Sequence, residues 1–184
     1  LYLTEDTNDG LLYRFIPNKK QDFTDGKLQT LKIVDQKSAD LRNYPGTTTP
    51  IKEGVTMKAT WINVSDVEAP ANDLRFRGFK SGAARFARGE GIQFSSGAFY
   101  ICCTDGGPEN QGQIFKLTPS GSASKPDTLE LFLEPGASDF LTNGLTYAAV
   151  PDSPPNAPAD PSLSTLCVRP TSQQAIQTAT HTSN

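Results

Sequence analysis

Arg88 and Glu90, two positions apart in the segment 86–91 (FARGEG), are the strongest chemical candidates in this sequence. Side chains two apart in an extended strand point the same way, so the pair is expected on one face. A carboxylate beside a guanidinium suits a site that handles a cation and an anion together. Glu90 would serve as a hard-metal ligand and Arg88 as a forked donor to phosphate or carboxylate. The same spacing also describes an ordinary surface ion pair, which contributes little. Spacing alone leaves both readings open.

Other groups carry weaker signals. Glu5 and Asp6, with Asn8 and Asp9, could bind calcium or form a solvated turn. Asp105-Gly106-Gly107 resembles a hairpin turn whose Asp bonds its own backbone. Neither has the spacing of a dedicated calcium loop, and no GxSxG, Walker-type or CxxC motif occurs. One histidine, His181, argues against His-based metal or triad chemistry. Neighbouring Cys102 and Cys103 alternate across a strand, and with Cys167 they make an odd count that gives no disulfide framework. All three are expected as buried small apolar side chains.

The elements that must position these groups read as short strands. The chain has 184 residues, net charge −3, 36% hydrophobic residues, 15 Gly and 14 Pro. That length suits one domain of moderate core with much of the chain in loops. The 17 basic residues are scattered, which argues against a nucleic-acid partner. No apolar run reaches the ~20 residues needed to cross a bilayer. The chain opens on Leu1 rather than Met, as expected of a processed or partial chain.

A repeat organises the strands. LYLTED (1–6), LYRFIP (12–17) and KLQTLKI (27–33) return about a hundred residues later as FYICCTD (99–105), QIFKLTP (113–119) and TLELFL (128–133). Each is β-branched or aromatic, partly alternating, and bounded by Gly, Pro, Asn or Asp. With GIQFS (91–95) before it, the second copy is a four-strand meander over about residues 90–134. That is the size of one propeller blade. The first copy begins at what would be strand two. Residues 144–150 would open a third blade, with 164–168 as its next strand. The expected fold is therefore all-β, a β-propeller fragment of one complete four-stranded blade and parts of two others.

The domain reading follows from this. Residues 1–150 form the propeller fragment, with an insertion at 35–85 that holds one strand (57–64) and otherwise reads as loop and turn. Residues 151–184 form a Pro-rich segment, one possible strand and a disordered tail. An open fragment leaves sheet edges uncovered, so marginal stability, self-association or assembly with missing blades is expected.

In order, YLTED…LYRFIP (2–17), FARGEG (86–91), FYICCTDGG…GQIFKLTPS (99–120) and LELFLEP (129–135) resemble the PhoX family of bacterial alkaline phosphatases. The resemblance covers roughly residues 1–150. It implies a six-bladed propeller, exported by the twin-arginine route to the periplasm or beyond, that hydrolyses phosphomonoesters with iron and calcium ions. By that resemblance Arg88 is a phosphate-binding arginine and Glu90 a metal ligand. Asn143, with Gly144, stands where the family's Asp-Asn pair supplies metal ligands; Asn143 is thus a further metal candidate, without the carboxylate. The chain also departs from the family at Cys167-Val168-Arg169, where Cys-Glu-Asp is expected. The lost ligands favour, as the alternative, a non-catalytic propeller-derived binding or surface-interaction module. A calcium-dependent lactonase is a third possibility, but it would leave Arg88 without a role.

Overall fold

A computed structural model describes residues 1–136, together with the dipeptide strands 148–149 and 166–167. Turn residues divide the first half into β1 (Tyr2–Leu3), β2 (Gly10–Leu11), β3 (Tyr13–Pro17), β4 (Gly26–Ile33) and β5 (Thr56–Asn63). A short helix α1 (Leu74–Lys80) and β6 (Arg85–Phe86) follow. The second half is β7 (Gly89–Ser95), β8 (Ala98–Cys103), β9 (Gln113–Thr118) and β10 (Asp127–Leu133). Finally β11 (Ala148–Ala149) pairs antiparallel with β12 (Leu166–Cys167).

Eight strands form one antiparallel sheet in the order β1-β3-β4-β5-β10-β9-β8-β7. Period-2 alternation fixes which face of each strand turns inward. Leu31 and Ile33 of β4, Leu129 and Leu131 of β10, and Phe115 and Leu117 of β9 are buried together in one core cluster. Between Leu129 and Leu131, Glu130 points away and meets Lys116 at 3.7 Å. Phe86 crosses Phe115 edge-on, with ring centroids 5.1 Å apart. Each fully buried Leu or Phe side chain contributes about 1.5–3 kcal/mol.

The sheet is nearly closed into a barrel. Its ends approach where the Thr4 hydroxyl, just past β1, donates to the Glu90 carbonyl of β7 at 2.6 Å, and the Tyr2 ring of β1 packs on Phe99 of β8 with centroids 4.2 Å apart. The fold is all-β, and β7-β8-β9-β10 is the expected four-strand meander. Separate propeller blades are not shown. Strand β5 pairs with β10 from Asp127↔Ala59 to Glu130↔Thr56, so the two halves share one continuous ladder.

Helix α1 is absent from the sequence expectation, because LRFRGFK carries Gly78 and no clear apolar stripe. It is held locally by Arg77, which pairs with Asp73 at 2.9 Å and donates to the carbonyls of Ser65 and Asp66. A Cβ at Gly78, where the helix meets β2, would lie 2.6 Å from a Leu11 methyl, so a larger residue there would have to displace that side chain. Cys102 and Cys103 are buried as expected, but the pairing expectation needs correction. Cys102 is disulfide-bonded, and Cys103 is a free buried thiol. An odd count excludes complete pairing but not a single bridge. The Pro-dense stretch 151–162 and the tail after Pro170 lie outside the described residues.

A buried carboxylate ties loop 41–51 to the end of the sheet. Glu134 accepts bonds from Asn43 Nδ2 at 2.9 Å and Gln113 Nε2 at 2.7 Å. Burial pushes its carboxyl pKa up against those two donors, and nearby Glu53 adds to the rise. A raised folded pKa means the stability gained from this group is fully present below about pH 4.3 and is lost as pH rises through the folded value. Relative to Glu134→Gln, the native chain should therefore lose melting temperature between pH 4 and 7. Paired thermal melts across that range check it; a constant gap between the two proteins would contradict it.

Candidate functional site

Arg88 lies between β6 and β7 with φ of 55°, in the left-handed region that costs a non-glycine residue about 1–3 kcal/mol. Two backbone bonds hold it there. Its N–H donates to the Thr7 carbonyl at 2.9 Å, and its carbonyl accepts from Thr104 N–H at 2.9 Å. The loop after β1, the entry to β7 and the exit from β8 therefore meet at this residue.

The side chains gather on the same spot. Arg88 Nε lies 2.9 Å from Asp6 Oδ1, while Nη2 donates to Asp6 Oδ2 at 3.1 Å and to Glu90 Oε1 at 3.5 Å. Glu90 Oε1 also accepts from the Thr104 hydroxyl at 3.3 Å. Hydrogen bonding to Asp6, then its charge, raises the Arg88 pKa further. The group is open to solvent: the Arg88, Glu90 and Asp6 side chains are 40%, 44% and 45% exposed.

Arg88 and Glu90 do meet, though not by simple strand alternation. Arg88 precedes β7 in a left-handed conformation, and the β7–β8 register shifts between Gly89 and Ile92. Asn143, the other metal candidate, lies outside the described residues. Asp6 and Thr104 complete the cluster; Asp6 has its sequence signal in the acidic group 5–9, whereas Thr104 has only its place in the repeated segment FYICCTD.

The acidic loop is engaged internally. Glu5 Oε2 accepts from Leu11 N–H at 3.1 Å and from the Tyr13 hydroxyl at 2.9 Å. Burial, followed by the Glu5 charge, drives the Tyr13 phenol far above its ordinary pKa. Asp9 accepts from Arg75 Nε at 3.0 Å. Asp105 bonds its own turn through Gly106 N–H at 2.8 Å and accepts from the Tyr44 hydroxyl at 3.3 Å.

Farther along the rim, Asp40 lies between Arg42 and Arg85, each 2.7 Å away. Burial would raise its carboxyl, but the two guanidinium groups outweigh that and hold it at about 2. Among the described residues no three His, Cys, Asp or Glu side chains converge as a metal site. Asp6 and Glu90 put two carboxylates at this point, too few by themselves to complete an iron or calcium centre.

The model of alkaline phosphatase PhoX matches residues 1–162, most of the 184-residue chain. The chain belongs to the PhoX alkaline phosphatase family. No curated protein and no solved structure matches it. Membership in the PhoX family suggests a phosphatase, and thus a phosphoester substrate. Among the described residues, no helix is long and apolar enough to cross a membrane.

In this PhoX-family chain the strained backbone at position 88 separates fold from side-chain chemistry. Glycine adopts a positive φ without the Cβ penalty. Arg88→Gly should therefore be more stable than Arg88→Ala by about 1 kcal/mol, though both lose the guanidinium. Thermal melts of the two variants read this directly; equal stability, or a more stable alanine variant, would contradict it.

Proposed function

We propose that the chain serves metal-dependent phosphomonoester hydrolysis, with Arg88 holding phosphoryl oxygens and Glu90 contributing one carboxylate to a calcium or iron site. The observation that carries this is the convergence of Arg88, Glu90 and Thr104 at one solvent-open point in a chain of the PhoX family. A guanidinium suits the charge that develops on the equatorial oxygens of a transferring phosphoryl group. The remaining metal ligands would come from residues outside those described, Asn143 among them. Bound metal would polarise the phosphoryl oxygens and activate the nucleophile.

A propeller scaffold is part of the same proposal. The meander β7-β8-β9-β10 supports it, whereas the β5–β10 pairing counts against it. A periplasmic or extracellular location is also proposed. The disulfide at Cys102 agrees with an oxidising compartment. Self-association remains part of this reading, because among the described residues the end strands β1 and β7 meet through side chains and loop contacts but do not share a ladder.

One observation favours a second reading. Asn143-Gly144 lacks the carboxylate that the family resemblance expects of a metal-ligand pair, as a non-catalytic binding module would have it. Hydrolysis of a chromogenic phosphomonoester with added calcium and iron separates the two. The enzyme reading expects turnover that depends on metal and falls at least a hundredfold in Arg88→Gln and Glu90→Gln. Absent turnover, or turnover indifferent to metal and to both substitutions, would favour the binding module.

A further inference from the structure

Arg88 does not present a free guanidinium. Of its two bidentate edges, the one formed by Nε and Nη2 is closed by Asp6, with contacts of 2.9 and 3.1 Å. The other, formed by Nη1 and Nη2, is shared with Glu90, whose Oε1 lies 3.5 Å from Nη2. Nη1 is the one guanidinium nitrogen without a partner among the described residues. A phosphate that uses the forked geometry typical of arginine needs one of these edges. The carboxylate in the better geometry belongs to Asp6.

Asp6 is also held where it lies. Its neighbour Glu5 is anchored by Leu11 N–H and the Tyr13 hydroxyl, and its neighbour Thr7 accepts the Arg88 N–H. The loop is thus fixed on both sides of residue 6, and the carboxylate is presented to Arg88 at high effective concentration. An incoming anion must compete with this tethered group and approach its negative charge. Both effects weaken anion binding, so they act in the same direction.

We propose that Asp6 is a built-in occupant of the Arg88 fork, a tethered carboxylate that a phosphate group must displace before Arg88 can hold it. This deepens the function proposed above and rests on the assignment of Arg88 to phosphate. A partly exposed ion pair of this kind holds back binding by roughly two- to fivefold.

The test is calorimetric titration of the full chain with inorganic phosphate at fixed ionic strength, for the native protein and for Asp6→Asn, Arg88→Gln and the double variant. Asp6→Asn should bind phosphate two- to fivefold more tightly, and both variants lacking Arg88 should lose binding. Asp6→Ala serves as a second variant if the asparagine protein does not fold, as judged by circular dichroism. If Arg88→Gln abolishes binding but Asp6 variants bind equally or less tightly, Asp6 is no occupant while the role of Arg88 stands. If Arg88→Gln leaves phosphate binding unchanged, or no variant binds phosphate, the assignment of Arg88 falls and this inference falls with it.

Discussion

The ladder between β5 and β10 is the contact on which the rest of the architecture depends. Its four register pairs join two antiparallel meanders that would otherwise each expose an apolar face. Once joined, Leu31 and Ile33 from one half and Phe115, Leu117, Leu129 and Leu131 from the other form a single cluster. A meander of three or four strands with one apolar face gains most of its stability from what covers that face. Here each half covers the other, and the curvature that results brings β1 and β7 together.

That closure creates the candidate site. Arg88 and Glu90 belong to the second half, and Asp6 belongs to the first. They meet because the Thr4 hydroxyl reaches the Glu90 carbonyl and the Thr7 carbonyl receives the Arg88 N–H. The charged cluster therefore lies on the seam of the barrel rather than deep within it. Its exposure is a direct result, since a nearly closed sheet has its interior filled by side chains and leaves polar chemistry to the loops at its ends.

Strand positions were largely legible from the sequence. LELFL and KLQTLKI alternate cleanly, and bounding Gly, Asp and Pro residues mark their ends. The joining of the two repeats was not legible. Nothing local in MKATWINV tells whether that strand ends an insertion or sits at the centre of a sheet, because pairing partners far apart in sequence leave no local mark. The same limit applies to Asp6. Its place in an acidic turn was visible, but its partner lies 82 residues away. Arg88 and Glu90 were singled out by their types and spacing, while the left-handed backbone that joins them has no signature in an arginine codon position. The Cys102 bridge was missed because counting cysteines cannot say which of them are paired.

The two adjacent cysteines carry one more consequence. Thiol–disulfide exchange needs a thiolate within reach of a sulfur, and Cys103 is the next residue after a bonded Cys102. Burial pushes the Cys103 thiol up to about 12, against a bond from the Ala87 backbone. It therefore stays protonated at physiological pH, and strand alternation directs it into the core with Phe86 and Phe115. Once the sheet has formed, the neighbouring sulfur is buried and protonated, which disfavours its attack on the bridge. In the unfolded chain the same two sulfurs are adjacent and equally accessible, so it is the folded sheet that sets the bonded Cys102 apart from the free Cys103.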